Sequence, residues 1–349
     1  MTIDYAQLFC TVADLVSDKD SPGLNETRMY QAIRDASDFV QKEIGWFVPV
    51  ALTRLLRGSG SNVLFIPPLL SITSVLNYAH ATNPTTLTTA DYLLRPDNGF
   101  WPRGPYTEIV FKPYTSLYRI WAPYRNGVQI DGTWGLYDRS GLIGATVQDA
   151  TGQDDSQTTL KVSDGGKVSP GMVLLIGSEQ EAVTGWEAPT AAVTTLNGAV
   201  TASDEVITVA NGALINIGEI LRADFEQMKV RDKRTHQLSV IRNWNGTGKV
   251  AHLTAAAVDV YRTVTVERNV NGTTAATHAL NTAISRYFVP DDILYLTKEI
   301  ATLSANKALG GYQGRTGNQE TGVVFYNDAF PQFDIEKVKS NYYIPRSRV

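Results

Sequence analysis

Hydrophobic positions follow a helical spacing in two long stretches of the chain. From Asn25 to Gly45, apolar residues recur every three or four positions, which predicts an amphipathic helix with Asn25 as its N-cap. The same spacing returns between Pro290 and Gly310, and Asp291 and Asp292 fall in its first turn, where the helix dipole favours acidic side chains. A shorter helix is predicted from Tyr5 to Leu15.

The stretches between these helices have the spacing and composition of β-strands. Between Thr53 and Gly135, short runs of β-branched and aromatic residues are separated by Gly, Pro and Asn turns, which predicts a meander of hairpins. From about residue 145 to residue 286 the composition shifts to Thr, Ala, Val, Gly and Asp without helical spacing. This shift predicts that residues 145–286 form a separate all-β domain between residues 1–144 and 287–349.

The predicted β domain contains two duplicated stretches. Residues 159–183 align with residues 206–230 at a constant offset of 47. RNWNGTGKVAH (242–252) aligns with RNVNGTTAATH (268–278) at an offset of 26. The chain therefore contains the first half twice and then the second half twice, whereas a simple tandem repeat would alternate them.

Two origins explain this order. Either a complete unit from about Ser203 to Val258 lies inside another unit, whose halves are residues 156–187 and 263–285, or each half was duplicated in place. Both origins predict two similar β units that pack as a sandwich or barrel.

The repeated RN-x-NGT frame has a structural and a metal-binding interpretation. Asn-Gly is a strong hairpin signal because both residues tolerate positive φ, and strand-like alternation precedes both copies. His252 and His278 end the two copies, but neither has a Cys, His or carboxylate nearby at ligand spacing. We therefore expect a hairpin or bulged turn whose Arg and Asn side chains hold the loop, and no metal site.

The composition narrows the classes of function. The 349-residue chain has a net charge of −4 and a pI near 5.6, so it lacks the basic field of a dedicated nucleic-acid-binding protein. Its single cysteine, Cys10, lies among apolar residues and is expected to be buried. No apolar run approaches the roughly 20 residues of a membrane span, and no signal peptide is recognisable. We expect a protein made in the cytoplasm, without membrane association.

Catalytic chemistry finds little support in the sequence. It contains no nucleophile elbow, zinc-protease, phosphate-loop or CxxC motif. Glu179 and Glu226 are the only carboxylates that the duplication repeats, and no acid pair for glycoside cleavage can be located. We expect that the protein is not an enzyme and needs no cofactor.

The chain resembles the head-to-tail adaptor (connector) proteins of tailed bacteriophages. Outside residues 145–286, the predicted order is two helices, a β meander, a helix and a short tail. The motifs that support the resemblance are LLRGSGSNVLFIPPLLSITSV (55–75), DYLLRPDNGFWPRG (91–104) and VQIDGTWGLYD (128–138). The family's next helix matches VPDDILYLTKEIATLSA (289–305), but only after about 150 intervening residues.

The resemblance implies an α+β fold. A helical and β-meander adaptor core would contain residues 1–144 and 287–349, and the duplicated all-β domain would be inserted between them and decorate the outside. The insert is itself similar to phage virion modules in residues 224–228 and 242–247.

The resemblance also implies a function in the virion neck. Adaptors of this family form a ring, here expected to be a dodecamer, that binds the portal protein and a stopper or tail-completion protein. Genomic DNA would pass through the lumen without specific binding, which suits an acidic chain. The tail, residues 334–349, is implied to dock on the portal. Its candidate contact residues are Asp334, Lys337, Lys339, Tyr342, Tyr343, Arg346 and Arg348.

A second function is also compatible with the sequence. The duplicated β region also fits a β-rich adhesin or carbohydrate-binding module of a phage or bacterial surface.

Overall fold

The computed structural model describes residues 6–16, 25–79, 81–96, 105–113, 120–310, 315–316, 325–326 and 332–342. These residues form four α-helices, three six-stranded antiparallel sheets and one two-stranded ladder. The helices are α1 (Val12–Val16), α2 (Glu26–Glu43), α3 (Asp291–Gly310) and α4 (Gln332–Asn341). None of them combines the length with the hydropathy that spanning a bilayer requires.

The first sheet is a meander that ends before residue 135. Its strands are β1 (Val50–Leu56), β2 (Val63–Asn77), β3 (Thr85–Leu87), β4 (Tyr92–Arg95), β5 (Tyr106–Phe111) and β6 (Val128–Trp134). They lie in the order β1-β6-β2-β5-β4, and β3 pairs with the end of β2. Trp121 and Trp134 are fully buried in its core.

Twelve further strands lie between residues 140 and 287. They are β7 (Ser140–Thr146), β8 (Thr159–Lys161), β9 (Val173–Ile176), β10 (Glu179–Trp186), β11 (Thr190–Thr195), β12 (Val206–Thr208), β13 (Ile220–Ala223), β14 (Glu226–Arg234), β15 (Gln237–Ile241), β16 (Ala257–Val260), β17 (Thr263–Glu267) and β18 (Ala283–Tyr287). The short ladder near the end of the chain joins β19 (Arg315–Thr316) and β20 (Phe325–Tyr326).

These twelve strands form two small barrels. The first barrel has the order β7-β18-β9-β10-β17-β8, and a bridge between Val147 and Val162 joins its two edges. The second barrel has the order β11-β16-β13-β14-β15-β12, and a bridge between Leu196 and Val209 joins its edges in the same way. Each barrel closes where these edge strands end, and each has a separate apolar core.

The two barrels are nested along the chain. Strands before and after the second barrel pair with each other to make the first barrel, because β10 pairs with β17 across the whole of β11–β16. In the second barrel the equivalent strands β14 and β15 are joined directly at Thr235 and His236. The second barrel therefore occupies the place of a hairpin turn in the first.

The expected α+β fold with a helical adaptor core is wrong. About 40% of the structure is strand and 20% is helix, so the chain is mostly β. The helices do not build a core alone, because their cluster includes Val173 and Ala182 of the first barrel and Ile220 and Trp244 of the second. Most strands are short, and each gives a weaker local signal than an 18-residue amphipathic helix.

The predictions for individual helices had mixed outcomes. Those for α2 and α3 are confirmed, and Asn25 caps α2 by accepting a 2.8 Å hydrogen bond from Thr27 N. The predicted helix from Tyr5 to Leu15 is largely wrong, since only α1 forms. The hydrogen bonds of the Gln7 side chain explain why the segment before α1 is not helical. Gln7 Nε2 donates to Val48 O (2.8 Å) and its Oε1 accepts from Phe47 N and Val48 N, which holds the segment beside the chain that enters β1.

Candidate functional site

The predicted docking tail begins in α4. Asp334 belongs to this helix, but its side chain lies outside the described residues, as do Tyr343, Arg346 and Arg348. Lys337 is exposed on α4. The structure therefore describes the side chains of Lys337, Lys339 and Tyr342 from the predicted set.

Lys339 and Tyr342 contact residues of α2, α3 and the segment before β1. Lys339 Nζ lies 2.9 Å from Glu43 Oε2 at the end of α2. Tyr342 donates its hydroxyl to Asp292 Oδ1 at 2.7 Å, and its ring packs edge-on against Phe47 at 4.9 Å between centroids. Burial and the neighbouring Asp292 carboxylate both raise the pKa of Tyr342. Tyr342 therefore anchors α4 to the chain's own core, which sequence reasoning did not foresee.

The first barrel contains a buried network around Glu179. Arg268 donates Nε to Glu179 Oε1 and Nη2 to Glu179 Oε2, both at 2.7 Å, and His278 Nε2 lies 2.9 Å from Glu179 Oε2. Burial alone would raise the pKa of Glu179, but Arg268 and two backbone N–H groups outweigh it and hold the pKa low. The other Arg268 hydrogen bonds go to the carbonyl oxygens of Asp154, Gln157 and Ala276.

The second barrel repeats this network at equivalent positions. Arg242 donates to both oxygens of Glu226 at 2.6 and 2.7 Å, and His252 Nε2 lies 3.1 Å from Glu226 Oε2. The pKa of Glu226 is also low, because Arg242, the Val250 N–H and His252 outweigh the effect of burial. The other Arg242 hydrogen bonds go to the carbonyl oxygens of Thr201, Asp204 and Val250.

Sequence reasoning identified these residues but not the connection between them. It noted the Glu repeat at one offset and the Arg and His repeats at another, and it rejected ligands for the histidines because no carboxylate is close in the sequence. In the structure, Glu179 comes from a strand 99 residues away from His278. The sequence did contain a usable signal. The Glu repeat at an offset of 47 and the Arg and His repeats at an offset of 26 together mark the three residues of each buried network.

The Glu–Arg–His network of the first barrel contains one buried carboxylate more than the network of the second. Glu181 lies at the position of Met228, and burial raises its pKa to about 7, against a smaller lowering by Arg268. Glu179, Glu181 and His278 offer ligand atoms within 4.8 Å of one another. Arg268 Nε, however, lies 2.7 Å from Glu179 and 3.2 Å from Glu181, so a guanidinium already supplies the positive charge of a cation. We assign no metal to this cluster.

The RN-x-NGT frame also attaches each barrel to the rest of the chain. Asn271 Nδ2 donates to Gln180 Oε1 (2.8 Å) and to Ala6 O (3.1 Å), and Gln180 Nε2 donates to Pro49 O (2.9 Å). We call Gln180 and Asn271 the first amide pair. Asn245 and Asn271 adopt left-handed backbone (φ 55° and 56°) within 3-10 turns. The predicted hairpin is wrong, because the strands on either side of each turn, β15 and β16 or β17 and β18, do not pair with each other.

The second amide pair consists of Gln227 and Asn245. Asn245 Nδ2 donates to Gln227 Oε1 (2.7 Å) and to Glu26 Oε2 (3.2 Å), while Glu26 N donates to Asn245 Oδ1 (3.2 Å). Gln227 Nε2 donates to the hydroxyl of Tyr261 at 2.9 Å. The second pair thus joins the start of α2 to the second barrel.

This second amide pair lines a cleft of about 460 Å³ between the two barrels and the start of α2. Glu26 belongs to its lining and also accepts a hydrogen bond from Trp244 Nε1 at 3.2 Å. Burial raises the pKa of Glu26, although Asn245, the charge of Lys229, Trp244 and the nearby Trp186 N–H all act against it. Trp186 and Tyr261 form the aromatic part of the lining.

Comparison of the chain with protein-family models, with curated proteins and with solved structures finds no match.

Proposed function

We propose that the chain is a structural virion protein, a head-to-tail adaptor that forms a ring under the portal of a tailed bacteriophage. The ring conducts DNA and links the capsid to a stopper or tail protein. The proposal rests on the resemblance of residues 1–144 and 287–349 to that family, and one structural observation supports it.

That observation is the packing of the two separated segments on each other. Helices α2 and α3 pack side by side although the barrels lie between them in the sequence, and α4 packs on α3. Ile335 and Val338 of α4 are buried in the same cluster as Ile33 of α2. The two segments that resemble the adaptor family are therefore packed against each other, in a core that the barrels share.

The buried networks favour a structural over a catalytic role. Glu179 and Glu226 have no exposed side-chain surface, and their oxygens are occupied by arginine, histidine and backbone donors. A glycosidic acid or base needs a carboxylate that touches its substrate. The acidic net charge suits a conduit through which DNA slides.

The test is ring assembly with the portal protein of the same phage. We expect the full chain to form closed rings by electron microscopy and to co-sediment with the portal. Removing residues 343–349 should abolish portal binding while all described packing of α4 remains. Deleting from Asp334 is less informative, because it also removes Ile335 and Val338 from the core.

An exposed lysine provides the matched comparison. Lys337→Glu on α4 should weaken portal binding, whereas Lys42→Glu on α2 should not, since both lysines are exposed but only Lys337 lies in the predicted tail. A chain that stays monomeric with the portal present would overturn the proposal. Unchanged binding after removal of residues 343–349 would overturn the assignment of the tail.

A further inference from the structure

The cleft between α2 and the two barrels has the chemistry of a small-ligand site. We propose that it binds a neutral saccharide unit, with Trp186 and Tyr261 against the sugar ring and Glu26, Gln227 and Asn245 toward its hydroxyls. Its volume of about 460 Å³ falls within the range of small-molecule pockets, and it lies where three parts of the chain meet. The inference does not depend on the ring proposed above.

The aromatic lining offers an apolar corner. The rings of Trp186 and Tyr261 are 6.3 Å apart between centroids and inclined at 73°. Both side chains are half-buried, so other residues hold them in place. A sugar ring has apolar C–H faces that pack on such surfaces, while its hydroxyls need polar partners at the edge.

The polar lining is a chain of fixed hydrogen bonds. Asn245 Nδ2 donates hydrogen bonds to Glu26 Oε2 and to Gln227 Oε1, and Gln227 Nε2 donates to Tyr261 Oη. Because Tyr261 accepts from Gln227, the hydrogen of its hydroxyl can be donated to a ligand, and a carboxylate has more lone pairs than the bonds that Glu26 accepts. Planar carboxylates and amides suit ligands that present several neighbouring hydroxyls.

Trp186 contributes its ring and not its N–H group. Its Nε1 is buried beside Glu26, whose pKa it helps to lower, so a ligand oxygen in the cleft does not reach it. The Tyr261 hydroxyl and the Glu26 carboxylate therefore supply the donor and the acceptor that a sugar hydroxyl, both donor and acceptor, can satisfy.

The charges of the cleft argue against an anionic ligand. Glu26 is a buried carboxylate in its lining, and the Arg222 guanidinium in the same lining is already paired with Asp259 at 2.6 Å. A phosphate or acidic sugar would meet Glu26 without an uncommitted arginine to offset the repulsion.

In the first barrel, backbone from another part of the chain covers the equivalent amide pair. There, Gln180 and Asn271 donate to the backbone oxygens of Pro49 and Ala6 and are buried. In the second barrel the equivalent Gln227 and Asn245 are half-buried and line the cleft. The same amides therefore stand beside open space, where ligand oxygens can approach.

The test is sugar binding by the full chain. Glucose, galactose, mannose and N-acetylglucosamine, each alone and as a β-linked disaccharide, are titrated by calorimetry and by ligand-observed NMR. We expect saturable binding of at least one neutral sugar, and glucose 6-phosphate should bind more weakly than glucose. No saturable binding by any of these sugars, or a preference for the phosphate, would overturn the proposal.

Conservative variants locate the site. Tyr261→Phe removes one donor and keeps a ring, and it should weaken binding about tenfold, the value of one hydrogen bond. Trp186→Phe reduces the aromatic surface against the sugar ring and should also weaken binding. Tyr295→Phe is the control, because Tyr295 is exposed on α3 and outside the cleft. Thermal unfolding of each variant checks the fold, and a folded Tyr261→Phe and Trp186→Phe that both bind like the parent would also sink the assignment.

Discussion

At the scale of single residues, Glu181 marks the difference between the barrels. The position holds Met228 in the second barrel, where Arg242 and His252 contact Glu226 as Arg268 and His278 contact Glu179. His252 Nδ1 also lies 2.8 Å from Asp224 Oδ2, and the first barrel has Gly177 at the position of Asp224. In the first barrel, Glu181 adds a second buried carboxylate beside Glu179. Two carboxylates then share one guanidinium, and burial disfavours the charged form of the second.

Replacing Glu181 with methionine should remove a pH dependence. The pKa of Glu181 rises from 4.5 to about 7 on folding, so the stability it contributes is present below pH 4.5 and lost as the pH rises through 7. Relative to the parent, Glu181→Met should gain roughly 3 kcal/mol in the free energy of unfolding between pH 4.5 and pH 8. Urea denaturation at both pH values measures the difference.

Met228→Leu is the control for this change, since it alters the matching position without adding or removing a titrating group. Its difference from the parent should be the same at both pH values. If the Glu181→Met and parent profiles ran parallel, the assigned titration of Glu181 would be wrong.

The two arginines should be among the most sensitive positions in the chain. Arg268→Met and Arg242→Met each leave a fully buried glutamate without its guanidinium and three carbonyl oxygens without their donor. We expect each to lower the free energy of unfolding by about 3–5 kcal/mol in urea denaturation.

An exposed ion pair provides the comparison for this loss in the free energy of unfolding. Lys42→Met breaks the pair with Asp38, whose side chains are 70% and 56% exposed, and should cost no more than about 0.5 kcal/mol. Equal losses for Lys42→Met and Arg268→Met would contradict a structural role for the buried networks.

At the scale of elements, the barrels touch at a glycine. A methyl group on Gly166 of the first barrel would overlap the carbonyl oxygen of Ile217 in the second. Nearby, Arg262 Nε lies 2.6 Å from Glu219 Oε1, and Gly165 N donates to the same oxygen at 3.2 Å. The second barrel has Ala213 at the position of Gly166, so the close approach, and not the local turn, requires glycine.

Gly166→Ala should therefore loosen the contact between the barrels. We expect a loss of about 1–3 kcal/mol, the usual cost of an added methyl in a packed contact, measured by thermal or urea unfolding. Gly185→Ala is the comparison, because a methyl group there meets no atom within 4 Å. Similar effects of the two variants would show that the contact at Gly166 contributes nothing specific.

The sequence predicts helices better than barrels in this chain. Helix α2 has its cap and its period within 20 neighbouring residues, and both duplications are readable as constant offsets. Barrel closure depends on pairs such as Val147 with Val162, and the joint core depends on helices meeting Trp244 and Ile220. Such contacts are set by tertiary packing, which local periodicity does not encode.

At the scale of the whole molecule, the helices belong to the barrels as much as to the meander. Val12 N donates to Pro170 O at 2.9 Å, and Ala13 N donates to Ser169 Oγ at 3.1 Å. Glu26 in α2 depends on Asn245 and Trp244 of the second barrel for its hydrogen bonds. The barrels are therefore part of the body's packing, which explains why an insert on the outside of a helical core is an inadequate description.

The nesting of the barrels leads to a prediction about autonomous folding. Residues 188–262 contain every strand of the second barrel, its closing bridge and a core of thirteen buried side chains. Such a fragment is near the lower size limit of a stable domain, but the bridge between Leu196 and Val209 joins its two edge strands. We expect the isolated fragment to unfold cooperatively on heating and to give dispersed amide proton shifts.

The matched fragment is residues 140–187, the first half of the outer barrel. It lacks β17 and β18, so it has neither Arg268 to pair with Glu179 nor partner strands for the outer edges of β9 and β10. We expect it to be unfolded under the same conditions. If residues 188–262 were unfolded as well, the second barrel would need the surrounding chain for its stability, and insertion of a complete, self-sufficient unit would lose its physical basis.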